Sequence, residues 1–463
     1  MKNIILFILT TIAFTACSDD YTDLAPVSER NEANFYTNVE DFTFGINASY
    51  RGLQSKEVYG RSYWTMFEMR SDNTDQGPDQ TGLANQFTVI NTFTEDALNE
   101  QVDAAWKGSY RVISNCNAIL DRIDAVEMED TLKNRIIGEA LFLRSLMYYH
   151  LAIAYGNIPL QLDVFIPGEK LTQVSPTAVY TQIITDLVKA EGNLIQDYDV
   201  LNVGRATKGA AATLLAKVYL TVGQKSEAEM VLRRIVSTYN YRLLPDYTSL
   251  WGHMNENNDE SIFEVQFISG GIGQGSSFTN DFSPNAFLQN GQGFGRNRPT
   301  DGMIGAYEVN DTRFDISVGT SYINENNETI TANYIKKYSG NPPVENDSDI
   351  NFVVFRYADV LLMLAESLGE STESYGFINQ VRNRAGLADI DAASSGTFLE
   401  KLLHERRVEL AFENHRWADI KRLNVAKEKV NTAESFVPES AVKELFYIPQ
   451  REMDINSNFT QNN

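Results

Sequence analysis

Amphipathic segments with helical spacing dominate the first half of the chain. Apolar residues recur at i, i+3, i+4 and i+7 in Val39–Leu53 and in Trp106–Ile123. Asn38 stands just before the first segment, where its side chain can accept a hydrogen bond from a free amide of the first helical turn. The pattern therefore predicts two helices that each bury one face.

The next two segments predict further helices. Gly138–Tyr155 is apolar on nearly all sides, which is typical of a central buried helix. Ser175–Leu194 has Pro176 in its first turn, a position that favours proline because the missing N–H has no partner there.

Two adjacent segments have the spacing of a tetratricopeptide helix pair. The matching positions are Ala212, Leu215, Ala216, Tyr219, Ala228, Leu232 and Ile235. Small residues at Ala216 and Ala228 allow two antiparallel helices to approach closely. Asn240 stands where the repeat usually closes with proline, and a weaker second copy is formed by Ala365, Leu368, Phe377 and Val381. We therefore predict helix hairpins without a long regular array.

Residues 252–349 have a different composition, rich in Gly, Ser, Asn and Phe and without helical period. Ser261–Ile268 and Tyr334–Ser339 predict short strands. A loop-rich insertion of this length is usually functional or disordered, and its many phenylalanines favour ordered loops packed on a surface. Helices are predicted to resume at Phe352 and to continue to about Val430.

The segment Leu402–Asn424, LLHERRVELAFENHRWADIKRLN, predicts an amphipathic helix bearing ion pairs. Glu405 and Glu409 can reach arginines three or four positions away. Arg406 lies on the apolar stripe itself, so we expect it to be buried and paired, with Glu366 or Glu139 as partner. The stripe comprises Leu399, Leu402, Leu403, Leu410, Trp417, Ile420 and Leu423. The residues interpreted as a structural salt-bridge helix are Glu405, Arg406, Arg407, Glu409 and Trp417.

The amino-terminal stretch MKNIILFILTTIAFTACSDD has the features of a secretion signal. Its apolar run, Ile4–Phe14, is shorter than the roughly 20 residues that a membrane span requires. FTAC resembles the bacterial lipoprotein box, in which the cysteine, here Cys17, carries lipid, although Phe14 stands where Leu is usual. The following SDD resembles the signal that sends Bacteroidota lipoproteins to the outer face of the outer membrane. An ordinary signal peptide with an incidental cysteine is the alternative.

These patterns predict a mostly α protein with tetratricopeptide-like helix hairpins and a loop-rich insertion containing a few short β-strands. The predicted parts are a signal peptide (1–16), a lipid-anchored flexible tether (17–34), a helical amino-terminal part (35–251) and a carboxy-terminal part (252–463) that includes the insertion 252–349.

The charge of the chain argues against one class of function. Acidic residues outnumber basic ones 62 to 39, giving a formal net charge of -23. Nucleic-acid binding requires a basic surface to neutralise phosphates, and no basic patch is present. Cys116 lies on an apolar helical segment and is expected to be a buried free thiol, so no disulfide framework is predicted.

No metal or catalytic motif is complete. His404-Glu-Arg begins like a zinc-binding HExxH helix, but Val408 occupies the position of the second histidine. His404 and His415 are eleven residues apart and are joined by no third histidine or thiol. We predict no catalytic residue, no metal ligand and no cofactor apart from the lipid on Cys17, and leave a structural cation open.

Four stretches together resemble the SusD/RagB family of outer-membrane lipoproteins. They are FYTNVEDFTFGINASYRGL, GEALFLRSLMYYHLAIAYGNIPL, FRYADVLLMLAES followed by INQVRNRAGL, and ERRVELAFENHRWADIKR. The quoted stretches run from Phe35 to Arg422, and the resemblance is expected to extend to Ile448. The resemblance implies a helical fold with tetratricopeptide-like hairpins. It also implies that the protein binds oligosaccharides or peptides at the cell surface without catalysis and caps a SusC-like, TonB-dependent barrel transporter.

Sugar binding requires flat aromatic faces with nearby polar groups, and two regions offer them. One is Ser62–Gly82 and the other is the insertion; by resemblance, family members build their ligand platform from loops in about these regions. The candidate binding residues are Tyr63, Trp64, Phe67, Asp72, Asn73, Phe278, Phe282, Phe287, Phe294, Arg296 and Arg298. Trp64 could instead occupy a core position, and Asp72 and Asn73 could instead brace their own loop.

Four functions stay open at this point. We favour a lipoprotein anchored in the outer membrane, facing the exterior, that binds oligosaccharides and delivers them to a SusC-like transporter. A second possible function is peptide binding, as in a RagB-like protein. A third is that of a helical-repeat scaffold without a small ligand. A surface glycosidase would need two carboxylates roughly 5–10 Å apart, with Asp72, Asp75 and Asp79 as the candidates.

Overall fold

The structure, a computed structural model, describes residues 35–462 apart from 78–80, 167, 285–292, 325, 341, 343 and 432–436. Cys17, the predicted signal peptide and the tether lie outside the described residues. Those residues form 17 α-helices. They are α1 (Val39–Gln54), α2 (Ser62–Phe67), α3 (Leu83–Asn91), α4 (Glu100–Arg122), α5 (Asp130–Tyr155), α6 (Pro176–Asn193), α7 (Lys208–Thr221), α8 (Lys225–Thr238), α9 (Phe278–Phe282), α10 (Asp301–Ile304), α11 (Phe314–Ser317), α12 (Tyr357–Leu368), α13 (Thr372–Arg384), α14 (Phe398–Glu409), α15 (Arg416–Arg422), α16 (Ala426–Asn431) and α17 (Gln450–Ile455).

Short strands and 3-10 turns complete the secondary structure of the described residues. The strands are β1 (Thr74–Asp75), β2 (Ile158–Pro159), β3 (Gln173–Val174), β4 (Ser261–Val265), β5 (Arg298–Pro299), β6 (Val318–Ile323), β7 (Thr329–Ile335) and β8 (Phe352–Arg356). They form four antiparallel pairs, β1–β5, β2–β3, β4–β8 and β6–β7. The 3-10 turns are Ile123–Ala125, Tyr247–Leu250, His253–Asn255 and Glu439–Ala441. The predicted mostly α fold with a few short strands is confirmed.

α1 begins where the sequence predicts. Asn38 Oδ1 accepts a hydrogen bond from the Asp41 amide at 3.1 Å, which satisfies a free donor of the first turn. The side chains of Phe42, Ile46 and Leu53 are buried on one face of the helix. The predicted amphipathic helix is confirmed.

α5 is the central helix of the fold. From Gly138 to Tyr155 every side chain except that of His150 is buried. The helix is long and apolar enough to cross a membrane, yet 89% of its most apolar window is buried inside the protein. It is therefore the core helix that the sequence predicts, extended at its beginning to Asp130.

Helix hairpins build the scaffold. α7 and α8 form the predicted tetratricopeptide-like pair, and Ala212, Ala216 and Ala228 are buried in it. α12 and α13 form the weaker second pair. Along the series α1, α4, α5, α6, α7, α8, α12 and α13, each helix packs on the next. The described parts of 35–251 and 252–463 both contribute to one continuous hydrophobic core.

The prediction that helices resume at Phe352 is wrong. Phe352–Arg356 is strand β8, which pairs antiparallel with β4, so that Phe352 lies opposite Val265 and Arg356 opposite Ser261. The run FVVFR is short, apolar and rich in β-branched residues, and periodicity alone does not distinguish a buried strand from a buried helix. The helix α12 begins at Tyr357.

The prediction of one continuous helix through Leu402–Asn424 is also wrong. α14 ends at Glu409 and α15 begins at Arg416. Between them Phe412 and Asn414 have φ angles of 67° and 64°, a left-handed conformation that interrupts a right-handed helix. The break turns the chain, so that charged residues of this segment meet neighbours from several distant elements.

Candidate functional site

The aromatic residues of α2 belong to the core. Trp64 is only 1% exposed and packs edge-on against Phe282 at a ring-centroid distance of 5.2 Å. Tyr63 and Phe67 are equally buried, and the Tyr63 hydroxyl lies 2.8 Å from the Ser109 hydroxyl. The structure corrects the expectation that Tyr63, Trp64 and Phe67 face a ligand, because side chains so enclosed have no surface left for stacking.

Two of the candidate phenylalanines are buried as well. Phe278 and Phe282 lie in α9, and their rings stack at 5.9 Å. Tyr338 packs against both, at 5.5 and 5.6 Å. These two candidates are therefore also corrected to packing residues, whereas Phe287 lies outside the described residues.

Asp72 and Asn73 brace their loop from inside the protein. Arg416 donates to the Asp72 carboxylate from Nε at 2.7 Å and from Nη2 at 2.8 Å. Asn73 Oδ1 accepts a hydrogen bond from Arg407 Nε, and its Nδ2 donates to Glu68. Burial alone would raise the pKa of Asp72, but Arg416 and Arg407 lower it to about 2. Ligand contact by these two side chains is corrected in favour of the bracing alternative.

The same loop continues to the surface, where it meets the insertion. Strand β1 pairs with β5, so that Thr74 lies opposite Pro299 and Asp75 opposite Arg298. Asp75 Oδ1 accepts hydrogen bonds from Arg298 Nε at 3.1 Å and Nη2 at 2.9 Å. The side chains of Arg298 and Asp75 are 30% and 34% exposed. This pairing joins the two predicted ligand regions at one place.

Phe294 and Arg296 lie in the segment that leads into β5, and both are half-buried. The guanidinium of Arg296 lies over the Phe294 ring at 4.4 Å and over the Phe87 ring at 5.4 Å. Its Nη1 donates to Asp281 Oδ1 at 2.5 Å. We call Asp75, Phe294, Arg296 and Arg298 the β1–β5 face.

Backbone hydrogen bonds hold this face rigidly on α9. The amides of Phe294, Gly295 and Arg296 donate to the carbonyl groups of Asn280, Ser283 and Asp281, each at 2.8 Å. Gly77 has a φ of 87°, and a Cβ atom there would lie 2.7 Å from the Gly295 carbonyl oxygen. Residues 78–80 and 285–292 adjoin this face in sequence and lie outside the described residues.

The face can bind a polar ligand with an aromatic contact. It combines a half-buried ring, two guanidinium groups and a carboxylate on a preformed backbone, which are the groups that orient a sugar. The Asn297 side chain is buried beside it, and its Oδ1 has no hydrogen-bond partner among the described residues. Sequence reasoning missed Phe87 because a lone phenylalanine in an amphipathic helix gives no signal of its place beside Arg296.

The carboxylates proposed for a glycosidase are differently placed. The Asp72 carboxylate is enclosed by arginines and holds a pKa of about 2, so it is unsuited to donate a proton at neutral pH. Asp75 is paired with Arg298. Asp79 lies outside the described residues.

The break between α14 and α15 lies inside a buried ion-pair network. Glu405 and Glu409 both accept from Arg313 Nη1, at 2.5 and 2.9 Å. Glu409 also pairs with Arg356 and Arg384. Burial would raise the pKa of Glu409, but these three arginines hold it well below its usual range.

Arg406 has different partners from those predicted. Its guanidinium pairs with Asp359 and Asp419, each at 2.8 Å, whereas Glu366 pairs with Arg422 and Glu139 with Arg205. The break between α14 and α15 brings Asp419 back towards Arg406, which a continuous helix would not do. Trp417 is fully buried and lies 5.9 Å from Phe93.

The histidines of this segment have separate surroundings. His404 is half-buried with Nε2 3.7 Å from Glu308, whereas His415 is buried with Nδ1 2.9 Å from Lys217 Nζ. Among the described residues no group of three His, Cys, Asp or Glu side chains is arranged to hold a metal ion.

Known proteins resemble this chain over most of its length. The family model described as "SusD family" matches residues 315–463, and the model described as "Starch-binding associating with outer membrane" matches residues 20–220. A SusD-like protein of Bacteroides ovatus is 30% identical over 473 residues, covering 91% of this chain and 82% of the relative. SusD-like protein P2 of Formosa agariphila is 28% identical over 467 residues, covering 92% of this chain and 91% of the relative. A solved structure described as "Laminarin binding SusD-like protein" has a TM-score of 0.80 and 26% identity, covering 91% of this chain and 98% of that one.

Proposed function

The chain belongs to the SusD family, and from this premise we propose that it binds oligosaccharides at the cell surface and delivers them to a SusC-like, TonB-dependent transporter. The protein would be held in the outer membrane, facing the exterior, by lipid on Cys17. A relative described as laminarin-binding and a family model described as starch-binding and associated with the outer membrane support this proposal.

The β1–β5 face carries the proposal. It is the place where both loop regions expected to hold the ligand meet, through the pairing of Asp75 with Arg298. A sugar ring would contact the Phe294 ring through its C–H face, while Arg298 and Asp75 would bind its hydroxyl groups. These side chains are only partly exposed and fixed by the backbone, so little ordering free energy is lost on binding.

Binding would occur without cleavage of the glycosidic bond. Cleavage requires one carboxyl group that is protonated near neutral pH and a second one on the other side of the bond. Asp72 is ionised and enclosed, and Asp75 is occupied by Arg298. The proposed role is therefore capture and transfer.

Calorimetric titration tests the binding step. A soluble form that begins at residue 18 is titrated with six-unit oligosaccharides derived from laminarin, starch, cellulose and xylan, and with mixed peptides. We expect at least one oligosaccharide to bind, and Phe294→Ala and Arg298→Ala each to weaken it by about tenfold, or about 1.4 kcal/mol. Each ligand mixture is then analysed for released reducing sugar, and none is expected.

The controls match these variants in residue type. Phe165→Ala removes an exposed phenylalanine elsewhere, and Arg111→Ala removes an exposed arginine that is paired with Glu57. Both should leave the affinity unchanged. Binding of peptides alone would favour the RagB-like alternative, and release of reducing sugar would favour the glycosidase.

The anchor and the transporter need separate tests. Metabolic labelling with palmitate should mark the full chain and not the Cys17→Ser variant.

Detergent extracts should yield a SusC-like barrel together with the wild-type chain captured by a carboxy-terminal tag. Capture of the chain without any barrel would contradict the delivery step.

A further inference from the structure

Two adjoining cavities lie away from the β1–β5 face, on either side of the segment Leu201–Arg205. The first, of about 400 Å³, lies between this segment, α1 and β4, and the second, of about 330 Å³, lies between the segment and Tyr241. Both are within the range of roughly 300–1,000 Å³ that small-molecule sites occupy. The two cavities adjoin across this segment, because both are lined by Val203, Gly204, Arg205, Phe263 and Glu264, and we call them together the groove.

The segment that divides the groove is fixed close to strand β4. Gly204 has a φ of 89°, and a Cβ atom there would lie 2.5 Å from the Gln266 side chain. Arg205 lines both cavities and donates from Nη2 to Asn47 at 2.7 Å and from Nη1 to Glu139 at 3.0 Å. The groove is therefore preformed.

The charges on the groove walls are nearly balanced. Arg205 is paired with buried Glu139, and Asp259 is paired with Arg242. Glu264 is buried and hydrogen-bonded to Asn351, and burial raises its pKa. Three charged side chains have no ion-pair partner in the described part of the chain, namely Arg51 in the first cavity, Asp197 in the second and Glu264 between the two. This balance disfavours a strongly charged ligand.

Amide side chains and tyrosines supply most of the polar surface. Tyr198 and Tyr241 are half-buried in the second cavity, and their hydroxyls are held by Ala206 and Thr207 at 3.1 and 2.9 Å. The rings are thus rigid surfaces of the kind on which sugars pack. Amide side chains donate and accept hydrogen bonds without carrying charge. Those that line the groove include Asn47, Gln54, Asn202, Asn240, Asn258 and Gln274.

Several of these groups have hydrogen-bonding capacity to spare. In the described residues, neither the Arg51 guanidinium nor the Gln274 side-chain amide makes a hydrogen bond to the protein. Two aliphatic side chains, Leu201 and Val203, project beside them, and Leu201 is 89% exposed. The first cavity thus offers free polar groups beside exposed apolar ones, and the second offers fixed aromatic rings, which together match the alternating hydroxyl and C–H surfaces of a saccharide.

We propose that this groove is a second binding site for a neutral oligosaccharide, separate from the β1–β5 face. The inference shares its ligand class with the proposed function and rests on it to that extent. One chain could then hold a glycan at two places, and linked binding of a long glycan would raise its overall affinity.

Calorimetry on the full chain carrying Cys17→Ser tests the inference, with six-unit oligosaccharides of laminarin, starch, cellulose and xylan as probes. Ala48 is exposed on α1 and lines the first cavity, so Ala48→Trp fills the cavity without disturbing the core. Arg51→Ala removes the free guanidinium. Val188→Trp places the same ring on an exposed face of α6 as the control.

We expect Phe294→Ala to leave residual binding of the same probe. Adding Ala48→Trp to this variant should weaken the residual binding at least about tenfold. Adding Arg51→Ala instead should weaken it by less. Val188→Trp should have no effect. The inference is overturned, while the proposed function stands, if Phe294→Ala abolishes all binding or if Ala48→Trp changes nothing. Loss of all binding in Ala48→Trp alone, with Phe294→Ala unchanged, would support the groove and contradict the β1–β5 face. Failure of every probe to bind would overturn both.

Discussion

Asp72 and Arg416 form a bidentate ion pair although 344 residues separate them in sequence, with Nε–Oδ1 and Nη2–Oδ2 distances of 2.7 and 2.8 Å. The pair joins the loop after α2 to the beginning of α15. Since β1 begins two residues after Asp72, the same contact also positions the β1–β5 face. The segment that contains α14 and α15 thus supports the candidate site from inside the protein and does not line it.

Asp72→Asn should reduce the free energy of unfolding by about 3–5 kcal/mol, because it leaves the Arg416 guanidinium buried without a counter-charge. Urea denaturation followed by circular dichroism measures this change. Glu373→Gln is the matched control, since Glu373 makes a similar bidentate pair with Arg233 on the exposed surface. Its loss of unfolding free energy should be much smaller, because solvent screens an exposed ion pair. Equal losses for the two variants would contradict a fold-supporting role for the Asp72–Arg416 pair.

His415 should make the fold sensitive to acid. Burial, followed by the positive charge of Lys217, lowers the pKa of His415 to about 4, against about 6.5 in the unfolded chain. The unfolded state therefore gains a proton first as the pH falls, so stability is complete above pH 6.5 and is lost towards pH 4. The loss should amount to about 3 kcal/mol.

Denaturation curves at pH 7, 5.5 and 4 check this prediction. The difference in unfolding free energy between wild type and His415→Gln should shrink as the pH falls, because the variant lacks the group that titrates. Exposed His253→Gln should follow the wild type. Parallel curves for wild type and His415→Gln would show that His415 does not cause the loss.

Trp64 and Phe294 should respond in opposite ways to substitution. Trp64→Ala empties a core position and should cost about 3–5 kcal/mol of unfolding free energy, while the affinity of the folded protein for its oligosaccharide stays within about threefold. Phe294→Ala should change affinity with little change in stability. Thermal unfolding measures the stability of both variants, and calorimetry measures their affinity. A Trp64→Ala protein that is stable but unable to bind would show that Trp64 contacts the ligand.

Cys116 should be unreactive in the native protein. Its thiol is fully buried, and desolvation raises its pKa to about 12. With Cys17→Ser to remove the other thiol, modification by a disulfide reagent at pH 8 should be slower than in guanidinium by about 100-fold or more. Equal rates would place Cys116 at the surface.

Much of the helical scaffold could be predicted from local pattern. Asn38 marks the start of α1, and the spacing of Ala216 and Ala228 indicates the α7–α8 hairpin, because capping and periodicity are local properties. Strand β8 was missed since a short apolar run fits a buried strand and a buried helix alike. The break at Phe412 was missed because a non-glycine residue with positive φ is held there by tertiary contacts.

The candidate site could be predicted only in part. Composition indicated the two loop regions that meet at the β1–β5 face. It could not distinguish Trp64 and Phe278 from exposed aromatics, since Trp64 is buried against Phe282 of α9 and Phe278 against Tyr338 and Phe352. The pairing of Asp75 with Arg298 involves strands of two residues, which leave no pattern. The density of charged residues indicated that Leu402–Asn424 forms ion pairs. The partners of Arg406 could not be predicted, because they depend on where the chain turns between α14 and α15.

Hydrogen exchange measured by mass spectrometry, with and without a saturating oligosaccharide, tests the central claim most directly. We expect added protection in peptides that contain residues 74–77 and 293–300, and none in α14 and α15, where Glu405, Arg406 and Glu409 are buried among neighbouring elements. Protection confined to α14 and α15, with residues 74–77 and 293–300 unchanged, would contradict it.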